Sequence, residues 1–212
     1  MSKASQVELR IPVGDVHLFG NLAIPQECKG IVIFSHGSGS SRLSPRNQAV
    51  AQFLNAGNFG TLLFDLLTAE EDQNYNTRFD IELLTERLTG VTKWLKDLPG
   101  AKNYKLGYFG ASTGAASALR SAADLKEVAA VVSRGGRPDM AKEFLPAVKA
   151  PTLLIVGSLD TEVLQLNRWA LDQLTCTKEL AIVNGATHLF EEEGTLDEVM
   201  HLSANWFEKY LH

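Results

Sequence analysis

The sequence lacks the features that mark secreted, zinc-binding or membrane-spanning proteins. It has only two cysteines, Cys28 and Cys176, which lie far apart and outside any CxxC or Cys/His spacing, so neither a disulfide framework nor a metal site is expected. It has no run of about eighteen apolar residues. Residues 1–15 contain no apolar segment of signal-peptide length. We therefore expect a cytoplasmic protein that does not associate with membranes.

An excess of positive charge is also missing. The 20 lysines and arginines are outnumbered by 25 aspartates and glutamates, which gives a formal net charge of -5. Binding to nucleic acid or to an anionic membrane needs a basic surface, and this composition does not suggest one. The balance of charges therefore favours a small-molecule partner and disfavours nucleic acid.

What the sequence does contain is typical of a globular enzyme domain. Its 212 residues, 45% of them hydrophobic, fit one domain spanning residues 1–212. Residues 6–24 alternate in polarity around Gly14-Asp15, which predicts an antiparallel hairpin. Unbroken apolar runs, such as residues 30–34 and 60–66, then alternate with helical patterns. The sequence therefore predicts an α/β fold with a mostly parallel sheet and helices on both faces.

Several helix boundaries carry local signals. Ser44-Pro45 has a capping serine before a proline, and Gly57 is expected to end that helix. From Arg78 onward, apolar residues at a 3-4-3-4 spacing predict one face of a long helix. Thr195 and Glu198 have the spacing of a capping box, which predicts the start of the last helix.

The stretch from Lys105 to Ser121, KLGYFGASTGAASALRS, has the pattern strand, sharp turn, helix. Its Gly-x-Ser-x-Gly motif centres on Ser112, and glycines on both sides allow the strand and helix to approach closely. In such a turn the serine hydroxyl projects from the sheet edge, and the amide of Thr113 points into the same space. Ser112 is therefore the candidate nucleophile.

A second glycine-rich loop, SHGSGSS at residues 35–41, follows an early strand. It could cradle a phosphate, although it lacks the lysine of a P-loop and the GxGxxG spacing of a dinucleotide site. Acyl transfer instead needs a second amide donor from this position, to act with the amide of Thr113 on the developing oxyanion. We favour Ser38 as that donor. His36 is expected to shape the loop.

A serine nucleophile needs an imidazole to take its proton and a carboxylate to orient the imidazole. Asp160 and His188 each follow a predicted strand closely, so both should lie at the same sheet edge as Ser112. The chain order Ser, Asp, His differs from the orders of chymotrypsin and subtilisin. His201 falls within the last predicted helix and His212 is the final residue, so neither is favoured as the base.

Three arginines are candidates for binding an anionic substrate. Arg42 and Arg46 follow the loop of Ser38, and Arg134 follows a predicted strand. Turns at the carboxyl edge of a parallel sheet line the ligand crevice, so these cations could face a substrate. The alternative is that they are ordinary solvent-facing charges.

Four segments together resemble the α/β-hydrolase superfamily, and within it the dienelactone-hydrolase-like group. They are FSHGSGSS, GYFGASTGAA, LLIVGSLD and GATHLFEE, and the likeness extends from about Gly30 to the C-terminus. The resemblance implies an α/β-hydrolase fold without a sizeable lid and with no cofactor or metal. It also implies Ser112 as nucleophile, Asp160 as acid, His188 as base, and the amides of Ser38 and Thr113 as oxyanion hole.

One departure from that group concerns the nucleophile. The named dienelactone hydrolases carry cysteine where this chain has Ser112, which favours hydrolysis of a small carboxylic ester or thioester over a specific lactone. Haloalkane dehalogenases and epoxide hydrolases of the same fold use aspartate there, so their chemistry is not expected. The sequence leaves two alternatives open: a catalytically silent relative that only binds, and an acyl-transferase or perhydrolase with the same triad.

Overall fold

The computed structural model describes residues 6–211, and its centre is one eight-stranded sheet in the order β1-β2-β4-β3-β5-β6-β7-β8. The first two strands form an antiparallel hairpin, β2 pairs antiparallel with β4, and the remaining pairs are parallel. The strands are β1 (Gln6–Val13), β2 (Val16–Ala23), β3 (Ile31–Ser35), β4 (Gly60–Phe64), β5 (Leu106–Ala111), β6 (Val128–Arg134), β7 (Thr152–Gly157) and β8 (Lys178–Val183). The mostly parallel sheet with an N-terminal hairpin is confirmed.

In the described part of the chain, five α-helices cover both faces of the sheet. They are α1 (Pro45–Ala56), α2 (Ile81–Asp97), α3 (Thr113–Asp124), α4 (Thr161–Gln173) and α5 (Thr195–Tyr210). Helices α2, α3 and α4 share one apolar cluster with the sheet, while α1 and α5 share another on the opposite face. Each face of the sheet therefore has its own buried core, as the unbroken apolar strands predict.

The connection that leaves β6 at the carboxyl edge of the sheet carries no large insertion. The connection between β6 and β7 contains only two 3-10 turns, Pro138–Ala141 and Leu145–Ala147. The expectation of a fold without a sizeable lid is confirmed for this connection. In the part of the chain that the structure describes, every helix is too short or too polar to cross a lipid bilayer.

The first local helix signal is confirmed. Ser44 caps α1 by accepting a hydrogen bond from the Asn47 amide, Pro45 is its first residue, and Gly57 follows its end. Helix α2 begins at Ile81, after Arg78, because the Asp80 carboxylate accepts the Leu83 amide and so caps the helix there.

The predicted capping box of α5 is wrong. Thr195 lies inside the helix as its first residue, and the cap position is taken by Gly194 in a left-handed conformation with φ of 77°. The Thr195 hydroxyl donates to the carbonyl of Glu192 instead of accepting an amide from the first turn. A glycine that reaches this conformation without steric cost therefore sets the start of the helix.

Candidate active site

The order of the strands places the two glycine-rich loops side by side. The chain passes from β3 outward to β4 and then returns to β5 on the other side of β3, so the connections leaving β3 and β5 diverge. In open parallel sheets this switch point forms a crevice at the carboxyl ends of the strands. Ser35, at the end of β3, pairs with Gly110 of β5, which brings the loop of Ser38 next to Ser112.

Ser112 lies on a strained turn between β5 and α3. Its backbone has φ of 51° and ψ of -120°, a conformation that non-glycine residues adopt rarely. The Ser112 amide donates to the Arg134 carbonyl at 3.2 Å, and the Arg137 amide donates to the Ser112 carbonyl at 3.1 Å. Two backbone hydrogen bonds, one with the last residue of β6 and one with the loop after it, therefore fix the strained residue.

Gly114 is required for the close approach of the turn to β3. A Cβ atom at this position would overlap the carbonyl oxygens of Ser35 and His36. Gly110 is similarly crowded against the first turn of α3 at Ala115. The two glycines of the motif are thus explained by packing, as the sequence pattern predicts.

The structure brings Ser112, His188 and Asp160 together. His188 Nε2 lies 3.3 Å from Ser112 Oγ, and His188 Nδ1 lies 2.6 Å from Asp160 Oδ2. A carboxylate at Nδ1 favours the tautomer that carries its proton there, which leaves the Nε2 lone pair facing the serine. The arrangement can therefore accept the Ser112 proton.

Two other described histidines, His36 and His201, do not enter this arrangement. His201 is exposed on α5, where its ring packs against Phe53 with a centroid separation of 4.8 Å. His212 lies outside the described residues. His36 is buried, and its two ring nitrogens contact the Gly37 carbonyl at 2.9 Å and the Leu66 amide at 3.0 Å.

The contacts of His36 define its protonation state. Nε2 accepts the Leu66 amide hydrogen, so Nδ1 carries the proton and donates to Gly37. Burial lowers the pKa of His36 below its ordinary value. A neutral His36 thus links the loop after β3 to the end of β4, which matches the loop-shaping role expected from the sequence.

The loops that carry Asp160 and His188 are tied to each other. The amides of Ser158 and Leu159 donate to the carbonyls of Val183 and Ala186, and the Ser158 hydroxyl accepts the Gly185 amide. These bonds connect the loop after β7, which carries Asp160, to the loop after β8, which carries His188. They therefore hold the carboxylate and the imidazole at a fixed separation.

Glu192 is a supporting residue that the sequence analysis did not single out. Its carboxylate accepts hydrogen bonds from the hydroxyl and the amide of Thr187, immediately before His188. The hydrogen bond from the Thr187 side chain is the largest cause of a lowered pKa for the Glu192 carboxyl. The signal for this role was present in the sequence, since an acidic residue five positions after a loop threonine can reach back to cap it.

The two amides proposed for an oxyanion hole lie at the same place, but one of them has a partner. Thr113 is the first residue of α3, so its amide has no acceptor within the helix. The Ser38 amide donates to the Thr113 hydroxyl at 2.8 Å. The sequence motif indicates a role for the backbone amide of Thr113, but it gives no sign of this contact of the Thr113 side chain.

The candidate arginines differ in their partners. Arg42 Nη1 lies 2.6 Å from Asp65 Oδ2, and this pair anchors the loop after β3 to the end of β4. Arg46 forms a 2.7 Å ion pair with Glu191. Arg134 is buried at the end of β6 and lies close enough to Arg46 for the two charges to interact. The structure thus brings Arg46 and Arg134 together, while Arg42 lines a separate cleft beside the loop of Ser38.

Open space lies beside the loop of Ser38. A cleft of about 370 Å³ is lined by residues of β2, of this loop and of the loop after β4. A smaller cavity of about 10 Å³ lies next to Ser38 and is lined in part by Arg78, which forms an ion pair with Asp72. Arg78 is a further cation near the crevice that the sequence analysis did not select.

Metal-binding geometry is not found in the described chain. Within residues 6–211, no three His, Cys, Asp or Glu side chains are grouped closely enough to hold an ion. Cys28 and Cys176 are both free thiols.

A family model and a solved structure indicate the same family, while the curated relatives carry a different name. A model of the Dienelactone hydrolase family matches residues 18–205. A curated Mycobacterium tuberculosis protein named "Putative phosphoribosyl transferase" is 53% identical over 205 residues. That match covers 96% of this chain and 46% of the relative, so the chain spans about half the length of the curated relatives it matches.

Solved structures extend the likeness to the whole described fold. The crystal structure of a dienelactone hydrolase from Anabaena variabilis is 51% identical, with a TM-score of 0.98 and complete coverage of both chains. An esterase of Pyrococcus furiosus shares the fold, with a TM-score of 0.81 at 20% identity over 99% of this chain and 94% of its own. The chain therefore belongs to the dienelactone hydrolase family, and its fold is that of the α/β-hydrolases.

Proposed function

We propose that this chain is a serine hydrolase that cleaves a small carboxylic ester, thioester or lactone through a covalent acyl-enzyme. The observation that carries the proposal is the alignment of His188 between Ser112 and Asp160, at 3.3 Å and 2.6 Å. Because this is the relay that activates a serine hydroxyl, its chemistry is acyl transfer. The esterase among the structural neighbours supports the fold's suitability for such a site.

In the first half-reaction, Ser112 Oγ attacks the carbonyl carbon while His188 Nε2 takes its proton. Asp160 stabilises the imidazolium that results. The tetrahedral intermediate collapses when His188 returns the proton to the leaving oxygen or sulfur, and the alcohol or thiol departs. A water molecule then gives a proton to His188 and attacks the acyl carbon. As the bond between the acyl carbon and Ser112 Oγ breaks, His188 returns that proton to Ser112 Oγ, which releases the carboxylic acid and restores the free serine.

The oxyanion of each tetrahedral intermediate is assigned to the amides of Ser38 and Thr113. The Ser38 amide donates to the Thr113 hydroxyl in the resting protein. A charged oxygen is a stronger acceptor than a neutral hydroxyl, so we expect the oxyanion to take over this donor during the reaction.

Labelling with a fluorophosphonate probe tests the proposal directly. We expect the folded wild-type chain to be labelled and Ser112→Ala to be unlabelled, with hydrolysis of p-nitrophenyl acetate reduced by about 10⁴-fold or more in that variant. Ser203→Ala is the matched control, because Ser203 is buried in α5 and donates to the Val199 carbonyl away from the site. Folded but unlabelled wild-type protein would instead support a silent relative.

A second candidate function, phosphoribosyl transfer, arises from the name of the Mycobacterium tuberculosis relatives. The chain matches only 46% of those proteins, and the Ser112 relay serves acyl transfer rather than attack on a ribose carbon. We therefore infer that the transferase name refers to the part of the relatives that this chain does not match. An assay with phosphoribosyl pyrophosphate and nucleobases should give no pyrophosphate release.

A further inference from the structure

Among the described residues, Arg134 is a buried cation without an anionic partner. The residue keeps only 7% of its surface exposed. Within residues 6–211, its guanidinium makes one hydrogen bond, from Nη2 to Asn47 Oδ1 at a long 3.4 Å, and its Nε hydrogen is buried and unpaired. A guanidinium has five N–H donors, and burying it unpaired is unfavourable.

The other described arginines with a buried, unpaired Nε atom do not share this situation. Unpaired Nε atoms also occur in Arg42, Arg46 and Arg87, but each of these side chains has a carboxylate partner at 2.6–2.7 Å. Arg134 forms no ion pair with any described residue. Burial, and after it the positive charge of Arg46, lowers the pKa of Arg134 to about 10. The side chain is therefore still cationic at neutral pH.

The surroundings of the guanidinium belong to the segments of the candidate active site. Asn47 lies in the first turn of α1, directly after the loop that contains Ser38. Phe190 follows His188 by two residues, and its ring lies 5.8 Å from the Arg134 guanidinium carbon. The backbone of Arg134 itself accepts the Ser112 amide. The unpaired cation is therefore built into the same part of the sheet edge as the reacting groups.

Local electrostatics at this position favour an anion. Amides of the first helical turn carry partial positive charge, and α1 begins beside the guanidinium. Arg46, in the same turn, contributes a second full charge whose partner, Glu191, is largely exposed. We define the Arg134 site as Arg134, Arg46, Asn47 and Phe190.

We propose that the Arg134 site binds an oxyanion of the substrate, a carboxylate or a phosphate, beside the ester that Ser112 attacks. The planar fork of a guanidinium matches both groups, and the ring of Phe190 lies 5.8 Å from its carbon, within reach of a cation–π contact. This proposal rests on the proposed hydrolase function for its substrate, but the binding of an anion does not require the chemistry to occur.

The first test compares two p-nitrophenyl esters of glutaric acid. In one the second carboxyl group is free, and in the other it is blocked as a methyl ester and carries no charge. We expect kcat/KM of the wild-type chain to favour the charged ester, and Arg134→Gln to lower that preference by about 10- to 100-fold. Arg46→Gln should lower it less. Arg168→Gln, an exposed arginine of α4, is the charge-matched control and should keep the wild-type preference. A preference that is equal in wild type and Arg134→Gln would overturn the proposal.

The second test measures binding without catalysis. In Ser112→Ala, glutarate monomethyl ester and inorganic phosphate are added at constant ionic strength, and the melting temperature is followed. We expect at least one of these anions to raise the melting temperature of Ser112→Ala, and the same anion to leave that of Ser112→Ala/Arg134→Gln unchanged. Whether the carboxylate or the phosphate acts identifies the anionic group of the substrate. If both anions fail, the site is refuted, even where hydrolysis is found. If an anion binds but no ester is cleaved by wild type, the Arg134 site stands and the hydrolase proposal fails.

Discussion

At the scale of single residues, the proposed catalysis depends on the carboxylate of Asp160. The side chain of Asp160 is only 14% exposed, whereas that of His188 is 38% exposed. The carboxylate is therefore better shielded from water than the imidazole to which it is hydrogen-bonded. A shielded carboxylate both fixes the tautomer of the imidazole and stabilises its cation. Its charge should therefore matter more than its ability to form a hydrogen bond.

Replacing Asp160 by asparagine tests that dependence. An asparagine can keep the hydrogen bond but favours the wrong tautomer of His188, so we expect kcat for p-nitrophenyl acetate to fall by about 10³- to 10⁴-fold. The melting temperature is measured alongside to show that the fold is kept. Asp172→Asn, an exposed change on the same helix α4, should retain wild-type kcat. A loss below tenfold in Asp160→Asn would reject Asp160 as the acid of the relay.

His36 should make the fold less stable in mild acid. Burial lowers the pKa of His36 in the folded protein. As the pH falls below about 6.5, His36 therefore becomes protonated in the unfolded chain while it is still neutral in the folded chain. The stabilising contribution is complete above pH 6.5 and is lost as the pH falls toward the lower pKa of the folded protein. Asp65 and Asp72 oppose the shift by their charge but do not cancel it.

We expect His36→Gln to have a smaller difference between its unfolding free energies at pH 7.5 and pH 5 than wild type has. Glutamine keeps an acceptor for the Leu66 amide and does not titrate. Urea unfolding at the two pH values provides the measurement. His17→Gln, an exposed position on β2, should leave the wild-type difference intact. An unchanged pH dependence in His36→Gln would show that His36 is not its source.

At the scale of secondary-structure elements, the turn from β5 into α3 is the most constrained connection. Ser112 has a positive φ there, and Gly114 lies against the backbone of β3. Because the atoms that a side chain would meet at Gly114 are carbonyl oxygens of a central strand, they cannot move aside without distorting the sheet. The elbow therefore depends on the absence of a Cβ atom at Gly114.

Gly114→Ala should destabilise the protein by about 3 kcal/mol or more and abolish hydrolysis, because the added methyl overlaps backbone. Gly100→Ala is the control, since its Cβ would meet no atom within 4 Å and its backbone is unstrained; we expect a change of about 0.5 kcal/mol or less. Urea denaturation followed by circular dichroism measures both. A stable and active Gly114→Ala would mean that the close packing of this turn is not needed.

The elements also show what sequence can and cannot predict. Strand periodicity and short connections were enough for the parallel sheet, and residue type plus strand-end position were enough to select Ser112, Asp160 and His188. The start of α5 was missed because the left-handed backbone of Gly194, rather than the threonine hydroxyl, decides it. Contacts between distant side chains have no local signal.

Tyr108 illustrates this second limit. In the sequence it is one apolar residue of a buried strand, but in the fold its hydroxyl contacts Thr92 of α2 at 2.7 Å and Ser121 of α3 at 3.0 Å. Burial raises its pKa to about 12, so the phenol stays neutral and links two helices to the sheet. The hydrogen bond between the Ser38 amide and the Thr113 hydroxyl escaped prediction for the same reason.

At the scale of the whole molecule, the short connection between β6 and β7 determines what the proposed enzyme should tolerate. The connection from β6 to β7, where α/β-hydrolases can hold an insertion, has only two short 3-10 turns. His188 keeps 38% of its side-chain surface exposed although it lies at the reacting centre. The part of the substrate that leaves should therefore project into solvent rather than into an enclosed pocket.

Such a site should discriminate weakly between leaving groups of different bulk. A closed hydrophobic pocket can distinguish one methylene by about 10- to 200-fold, whereas we expect kcat/KM for 4-methylphenyl acetate and 4-tert-butylphenyl acetate to differ by less than about tenfold. The two phenols have similar acidity, so the comparison isolates bulk from leaving-group chemistry. Steady-state hydrolysis of both esters by wild type measures the ratio, and Ser112→Ala supplies the background. A strong preference for the smaller phenol would show that residues at the sheet edge close over the substrate. Leu159 and Leu189 are exposed and lie next to Asp160 and His188 in the chain, so they would be the first residues to test for that closure.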